Sequence, residues 1–174
     1  GLAEAFRAAG GELRQHERCD LKKLPAEGVV LAAGRPARPD GPWIGLKCHL
    51  LNFEIRDDLE MHLGPGGYVG LSRIEDGKVN LCGLFKRRDG LRGAMPSLFR
   101  EYLKALGAEE LVQRMSRAEI DPASCQAVAG FVTGQQALPE RVMALGDARE
   151  MIPPFTGNGM SMALESASLA IDPI

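Results

Sequence analysis

The sequence predicts a mixed α/β fold, and three patterns point to it. Apolar and polar residues alternate over 43–85, which is typical of antiparallel strands, while residues 96–106 carry apolar side chains at helical spacing. Two short apolar runs, 29–33 and 142–145, end at glycine as strands of α/β proteins often do. With 174 residues, 45% of them hydrophobic, the chain can bury one sizeable core.

The first forty residues predict one helix and one strand. Residues 1–9 have helical periodicity, with an apolar stripe that includes Leu2 and Phe6, and the glycines at 10 and 11 end the helix. Residues 29–33 are apolar and partly β-branched, so we expect a buried strand that ends at Gly34.

The central region predicts an antiparallel meander. Four alternating runs cover 43–50, 59–63, 68–74 and 79–85, and Asp76-Gly77 between the last two is a strong hairpin signal. In the first run the alternation separates two faces. The apolar face carries Ile44, Leu46, Cys48 and Leu50, and the opposite face carries Trp43, Lys47 and His49.

Two helices and a strand are expected next. Residues 96–106 predict a helix that ends at Gly107, and 108–115 predict a second helix. The apolar residues of the first helix are expected to pack in the core rather than to hold a ligand. Residues 127–132 then predict a strand.

The last forty residues contain the most informative pattern. A short strand, 142–145, stops at Gly146-Asp147, and a proline-rich loop enters a helix through Gly157-Asn158-Gly159. Glycines let the backbone approach a planar or anionic group, and the first turn of a helix offers free N–H donors. A carboxylate at the end of a strand suits sugar hydroxyls. The alternative is an ordinary strand-loop-helix connection without a ligand.

These residues resemble the second flavin motif of the FAD-dependent oxidoreductases, the superfamily of the aromatic hydroxylases, flavin halogenases and geranylgeranyl reductases. The match is Gly146-Asp147-Ala148 followed by Pro154-x-x-Gly157-x-Gly159. The resemblance implies that Asp147 binds the ribityl chain of FAD and that the N–H groups of Gly159 and Met160 face the flavin ring. The cofactor-binding residues that it implies are Gly146, Asp147, Pro154, Gly157, Asn158, Gly159, Met160 and Gly34.

Three departures from the family pattern qualify the resemblance. Glu150 stands where many hydroxylases have His, and Ser161 where they have Asn, so the subclass stays open. Ala33 replaces a Thr or Asp before Gly34, so any cofactor contact there would come from the backbone of Gly34. A core strand with a turn glycine explains this segment equally well.

The resemblance also implies a division of the chain. Residues 1–40 would be part of an FAD-binding domain, 41–125 a substrate domain whose sheet covers the flavin, and 126–174 a return to the FAD-binding domain. Polar residues of the sheet would then be pocket candidates, or else solvent-facing residues with no such role; no catalytic acid or base stands out among them. They are Lys47, His49, His62, Tyr68 and Asn80.

The superfamily's first motif, a Gly-x-Gly-x-x-Gly turn for the ADP half of FAD, is missing. We therefore expect an incomplete FAD-binding domain, a carboxyl-side piece of a longer enzyme. On that view this chain alone is inactive and binds FAD poorly. Its exposed apolar surface would be covered by the missing amino-terminal segment or by a homo-oligomer.

The function expected is that of an FAD-dependent oxidoreductase acting on a small hydrophobic or aromatic substrate, with NADH or NADPH as a possible reductant. Hydroxylation, halogenation and double-bond reduction all stay open. The alternative is a cofactor-free binding domain that retains the fold. A net charge of −2 disfavours nucleic acid, and the sequence contains no membrane span, no signal peptide and no metal-ligand spacing, so we expect a cytoplasmic protein.

Overall fold

The computed structural model describes residues 1–20, 23, 25, 27–36, 38, 40–138 and 142–171. The helices are α1 (Leu2–Ala8), α2 (Ser97–Leu106), α3 (Glu109–Met115) and α4 (Gly159–Leu169). The strands are β1 (Val30–Leu31), β2 (Trp43–Leu51), β3 (Leu59–Gly64), β4 (Gly67–Arg73), β5 (Val79–Lys86), β6 (Glu119–Phe131), β7 (Gly134–Gln135), β8 (Met143–Ala144) and β9 (Glu150–Met151). None of these helices is long and apolar enough to cross a membrane.

Five strands form one antiparallel sheet in the order β3-β4-β5-β2-β6. The meander is confirmed for β3, β4 and β5, but β2 lies beyond β5 rather than beside β3. The reason is the connection over 52–58, which is too long for a tight hairpin and lets the chain cross to the other side of the meander. β6 begins eight residues before the expected strand at 127–132, so the division placed between 125 and 126 falls inside the sheet.

The β4–β5 hairpin forms as the sequence predicts. Asp76 and Gly77 are the central residues of a turn that the Lys78 N–H closes onto the carbonyl of Glu75, and their φ angles of 60° and 68° are left-handed. At the end of β3, a Cβ atom added to Gly64 would lie 2.0 Å from the backbone oxygen of Leu106. The glycine therefore permits the close approach of β3 to the end of α2.

The core lies between one face of this sheet and helices α2 and α3. Leu46, Cys48 and Leu50 are fully buried there, which confirms the apolar face of β2. The rings of Phe85 and Phe99 meet edge to face with centroids 5.8 Å apart. Both predicted helices are confirmed, and Gly107 ends the first of them with a φ of 82°.

The remaining strands form two small sheets. β1 and β8 make a two-stranded parallel pair, with Val30 opposite Met143, and β7 pairs with β9. The strand expected to be buried over 29–33 is shorter than predicted. Val30 is 36% exposed, and among the described residues β1 pairs with β8 alone. Neither α1 nor α4 contains a buried residue, and the predicted apolar stripe of α1 is solvent-exposed.

Candidate flavin site

The turn after β8 is fixed by a glycine and by a serine of α4. Gly146 has a φ of 56°, and a Cβ atom added to it would lie 3.0 Å from the Cβ of Ala163. The backbone N–H of Gly146 donates to Ser166 Oγ over 3.4 Å, and that hydroxyl donates to the carbonyl of Ala163 over 2.8 Å. The Gly146-Asp147 turn is therefore held directly against α4. The sequence did not indicate this role of Ser166, which lies two turns into the helix.

The entry to α4 leaves backbone donors free. A short 3-10 turn, Pro154–Thr156, leads to Gly157, whose φ of 70° places it in the left-handed region. Asn158 is the N-cap residue, and no side chain caps the first turn of this 11-residue helix. Because the first N–H groups of a helix have no partner inside it, those of Gly159 and Met160 are available to a ligand.

The strand ends and the helix entry enclose one cleft of about 420 Å³. β1 and β8 are parallel neighbours, so their carboxyl ends meet at one edge, where α/β folds bind ligands. Asp147, half-buried, supplies the carboxylate of an otherwise mainly apolar and glycine-rich lining. Of the eight predicted cofactor residues, Asn158 does not line the cleft. The other seven do: Gly34, Gly146, Asp147, Pro154, Gly157, Gly159 and Met160.

An aromatic contact joins this cleft to the large sheet. Tyr68 on β4 meets Phe155 in the loop before α4, with ring centroids 5.4 Å apart and planes at 78°. The sheet face that carries Tyr68 is thus the one directed to the cleft loop. Burial raises the pKa of Tyr68 to about 12, so its hydroxyl stays protonated at neutral pH.

The strand registers show which predicted pocket residues share that face. Lys47 lies opposite Cys82 and His49 opposite Asn80, and along β5 and β4 the same face continues to Tyr68. We name this surface, which holds Lys47, His49, Tyr68 and Asn80, the cleft-side face. All four are partly buried. It is the face opposite the helix-packed core.

His62 is the exception, because it does not share this face with the other four pocket candidates. It pairs with Val69, a residue of the core, so it lies on the helix-packed face of the sheet. Its Nε2 atom is 2.8 Å from Glu60 Oε1, and Glu60 is only 9% exposed. The alternation of β3 is real, but the polar positions face inward and the apolar ones, such as Leu63, face outward.

A buried ion pair explains this inversion. Arg114 of α3 donates to both carboxylate oxygens of Glu60 and, over 2.8 Å, to the carbonyl of Glu54. Arg114 and then His62 hold the pKa of Glu60 near 2, below its ordinary value of 4.5. The Arg114 guanidinium also lies 4.9 Å from the ring centroid of Phe53. The only signal in the sequence was an acid between apolar residues of a strand.

Known structures share this architecture. FqzB has a TM-score of 0.64 at 15% identity, over 94% of this chain and 49% of FqzB. The flavin-dependent brominase Bmp2 has a TM-score of 0.59 at 15% identity, over 78% of this chain and 39% of Bmp2. PqsL, described as a probable FAD-dependent monooxygenase from Pseudomonas aeruginosa, has a TM-score of 0.50 at 21% identity, over 83% of this chain and 44% of PqsL.

The chain therefore has the fold of the carboxyl-side part of flavin-dependent halogenases and monooxygenases, and it spans less than half the length of these structures. This confirms the predicted mixed α/β class and its resemblance to the FAD-dependent oxidoreductases at the level of the fold. No protein-family model matches the sequence, and no curated protein sequence matches it either.

Proposed function

We propose that this chain supplies the flavin-ring half of an FAD site in an FAD-dependent oxidoreductase. One observation carries the proposal: seven residues that the family resemblance implies, six from the motif region and Gly34 from the first strand, line one cleft. Its glycines leave room for a flat ring, and its single carboxylate lies at the strand edge. The sequence has no Gly-x-Gly-x-x-Gly turn for the pyrophosphate, so the proposal covers the ribityl and ring portions of FAD.

Each group of the cleft has a defined task in this proposal. Asp147 accepts hydrogen bonds from the ribityl hydroxyls. The N–H groups of Gly159 and Met160 donate to the pyrimidine edge of the ring, and the positive end of the α4 dipole stabilises negative charge at that edge. Bound FAD supplies the redox chemistry itself, with NADH or NADPH as the proposed reductant.

The cleft-side face of the sheet is the proposed substrate wall. The Tyr68–Phe155 contact supports this, since it places the sheet next to the loop that enters α4. Near that contact the wall is apolar: Leu84, opposite Tyr68, is 6% exposed. We propose a small, hydrophobic or aromatic organic substrate.

A riboflavin titration tests the proposal, because riboflavin carries the ring and the ribityl chain without the ADP half. We expect quenching of riboflavin fluorescence on binding, and about 10- to 100-fold weaker binding for Asp147→Ala, the effect of losing one or two charge-assisted hydrogen bonds. The matched control is Asp76→Ala, since Asp76 lies in the β4–β5 turn outside the cleft.

Two results would contradict the proposal. One is that the folded chain binds neither riboflavin nor FAD, whether the flavin is oxidised or reduced. The other is equal binding by the parent and Asp147→Ala. If the folded chain binds no flavin but still binds small organic ligands, the alternative of a cofactor-free binding domain gains support.

A further inference from the structure

β3 forms one edge of the large sheet, and it lacks most of the features that protect an edge from pairing with another chain. Among the described residues it pairs with β4 alone, in a register without a bulge. It contains no proline and no lysine. The other edge strand, β6, contains Pro122, and its register with β2 is interrupted twice. Because prolines, lysines and bulges are the usual means of blocking an edge, β3 is the more open of the two edges.

The backbone groups of alternate β3 residues point away from the sheet. The N–H of Lys86 donates to the carbonyl of Gly66 over 2.7 Å, so even-numbered residues along β4 direct their backbone groups to β5. Odd-numbered residues of β4 therefore bond to β3, where their partners are residues 60, 62 and 64. The other positions of β3 have outward N–H and C=O groups, to which no other described segment bonds: Leu59, Met61 and Leu63.

The side chains at these outward positions form an apolar row. Leu59 is 60% exposed and Leu63 is 66% exposed, and Met61 lies between them. Glu60 and His62 alternate with them and lie on the helix-packed face. An open edge that carries exposed leucines is a surface for association with another strand.

The strand is complementary to a second copy of itself. If two β3 strands lie antiparallel with Met61 at the two-fold axis, Leu59 lies opposite Leu63 of the partner subunit, and the outward backbone groups at 59, 61 and 63 bond to one another. In the same register Glu60 lies opposite His62 of the partner subunit. This is a pair without backbone bonds between its members, so the carboxylate and the imidazole come close together.

Charge also selects this register over its neighbour. Sliding one copy by two residues, so that Leu59 lies opposite Met61 of the partner subunit, would place Glu60 opposite Glu60 of the partner subunit. Like charges directly opposite each other in a sheet are destabilising. The register centred on Met61 places no two acids of β3 opposite each other.

We propose that β3 is a homodimer interface, in which two copies of this chain join their large sheets through antiparallel β3 strands centred on Met61. The inference is independent of the flavin site, because none of the β3 residues lines the cleft. Strands of six residues make a small interface. The dimer should therefore be weak, with a dissociation constant on the order of 10 µM.

Sedimentation velocity from about 1 to about 300 µM tests the interface, since this range brackets the expected dissociation constant. We expect the weight-average sedimentation coefficient of the parent to rise with concentration. Leu63→Lys should weaken the dimer by at least about 10-fold, because a charge on an edge strand opposes pairing. Val128→Lys is the matched control, since Val128 is an exposed apolar residue, 43% exposed, on the other edge strand. Circular dichroism verifies that each variant is folded.

Cysteine cross-linking tests the register. In a background of Cys19→Ala and Cys82→Ala, which removes the exposed thiols among the described residues, Met61→Cys should form an intermolecular disulfide when diamide oxidises the thiols. Residues opposite each other in a hydrogen-bonded antiparallel pair have Cα atoms about 5.5 Å apart, within the span of a disulfide. Leu63→Cys in the same background should not cross-link, because it lies opposite Leu59 of the partner subunit.

Three results would overturn the inference. The first is a parent that stays monomeric over the whole concentration range. The second is a dimer that Leu63→Lys does not weaken, which would place the interface elsewhere, for example on the exposed residues of α4. The third is cross-linking as efficient at position 63 as at position 61, which would exclude the register centred on Met61.

Discussion

The ion pair between Glu60 and Arg114 links the stability of this fold to the charge of one carboxylate. Glu60 lies inside the sheet–helix layer, 9% exposed, and Arg114 holds it from α3. Its pKa falls from 4.5 to about 2, and with about 1.4 kcal/mol for each pKa unit this corresponds to about 3 kcal/mol. We expect Glu60→Gln to lower the free energy of unfolding at pH 7 by about 2–3 kcal/mol, less than the cost of breaking a fully buried pair, because the Arg114 side chain is 21% exposed.

The pH dependence has a definite sign. A lowered folded-state pKa stabilises the protein fully above the unfolded-state value of 4.5, and the stabilisation is lost as the pH falls towards 2. The difference in unfolding free energy between the parent and Glu60→Gln should therefore be constant above about pH 5.5. It should fall to less than half of that value by about pH 3. Urea unfolding at several pH values measures it.

A matched variant and a double-mutant cycle complete this test. Glu75→Gln, at the exposed β4–β5 turn, should change the unfolding free energy by less than about 0.5 kcal/mol. Glu60→Gln and Arg114→Gln should be strongly non-additive, because each removes the same interaction. A loss below about 0.5 kcal/mol for Glu60→Gln, or a loss that does not change between pH 7 and pH 3, would show that Arg114 does not stabilise the Glu60 carboxylate in the folded chain.

Three further predictions concern packing. Gly64→Ala should destabilise the chain by about 2–4 kcal/mol in urea unfolding, since the new Cβ atom would meet a backbone oxygen at 2.0 Å; an unchanged midpoint would contradict that contact. Asn80→Leu should raise the unfolding free energy by about 1 kcal/mol, because it removes a buried acceptor without a partner, and a loss of stability would show that Asn80 is satisfied within the fold. Tyr68→Leu and Phe155→Leu should show a coupling energy of about 0.5–1.5 kcal/mol, and additivity would mean that the sheet and the cleft loop do not contact.

The strands and the β4–β5 hairpin of the large sheet were predicted well, because turn residues and alternation are visible over a few neighbouring residues. The hairpin at Asp76-Gly77 and the inward face of β2 follow from turn chemistry and from alternation, and both are confirmed. The position of β2 beyond β5 depends on how a seven-residue connection crosses the sheet, which no local pattern specifies. The face of His62 depends on a distant contact in the same way: alternation in β3 separates two faces, and Arg114 on α3 binds Glu60 on the face that also carries His62.

The candidate site followed from a motif rather than from periodicity. Glycine and proline positions located the turn at Gly146 and the entry to α4, and parallel pairing of β1 with β8 explains why Gly34 joins them. The contacts of Ser166 and Phe155 were not predicted. Each residue contacts a segment distant in the sequence, and no local pattern indicates such a contact. The chemical roles of the site residues stay predictions.

An NMR titration of the ¹⁵N-labelled chain with riboflavin tests the flavin site most directly. We expect the amide signals of Gly146, Asp147 and residues 157–160 to shift together along one saturable curve, while those of α2 and α3 stay in place. Shifts confined to other parts of the chain, or no shift up to the solubility of riboflavin, would contradict the assignment of the cleft between β1, β8 and α4 as a flavin site.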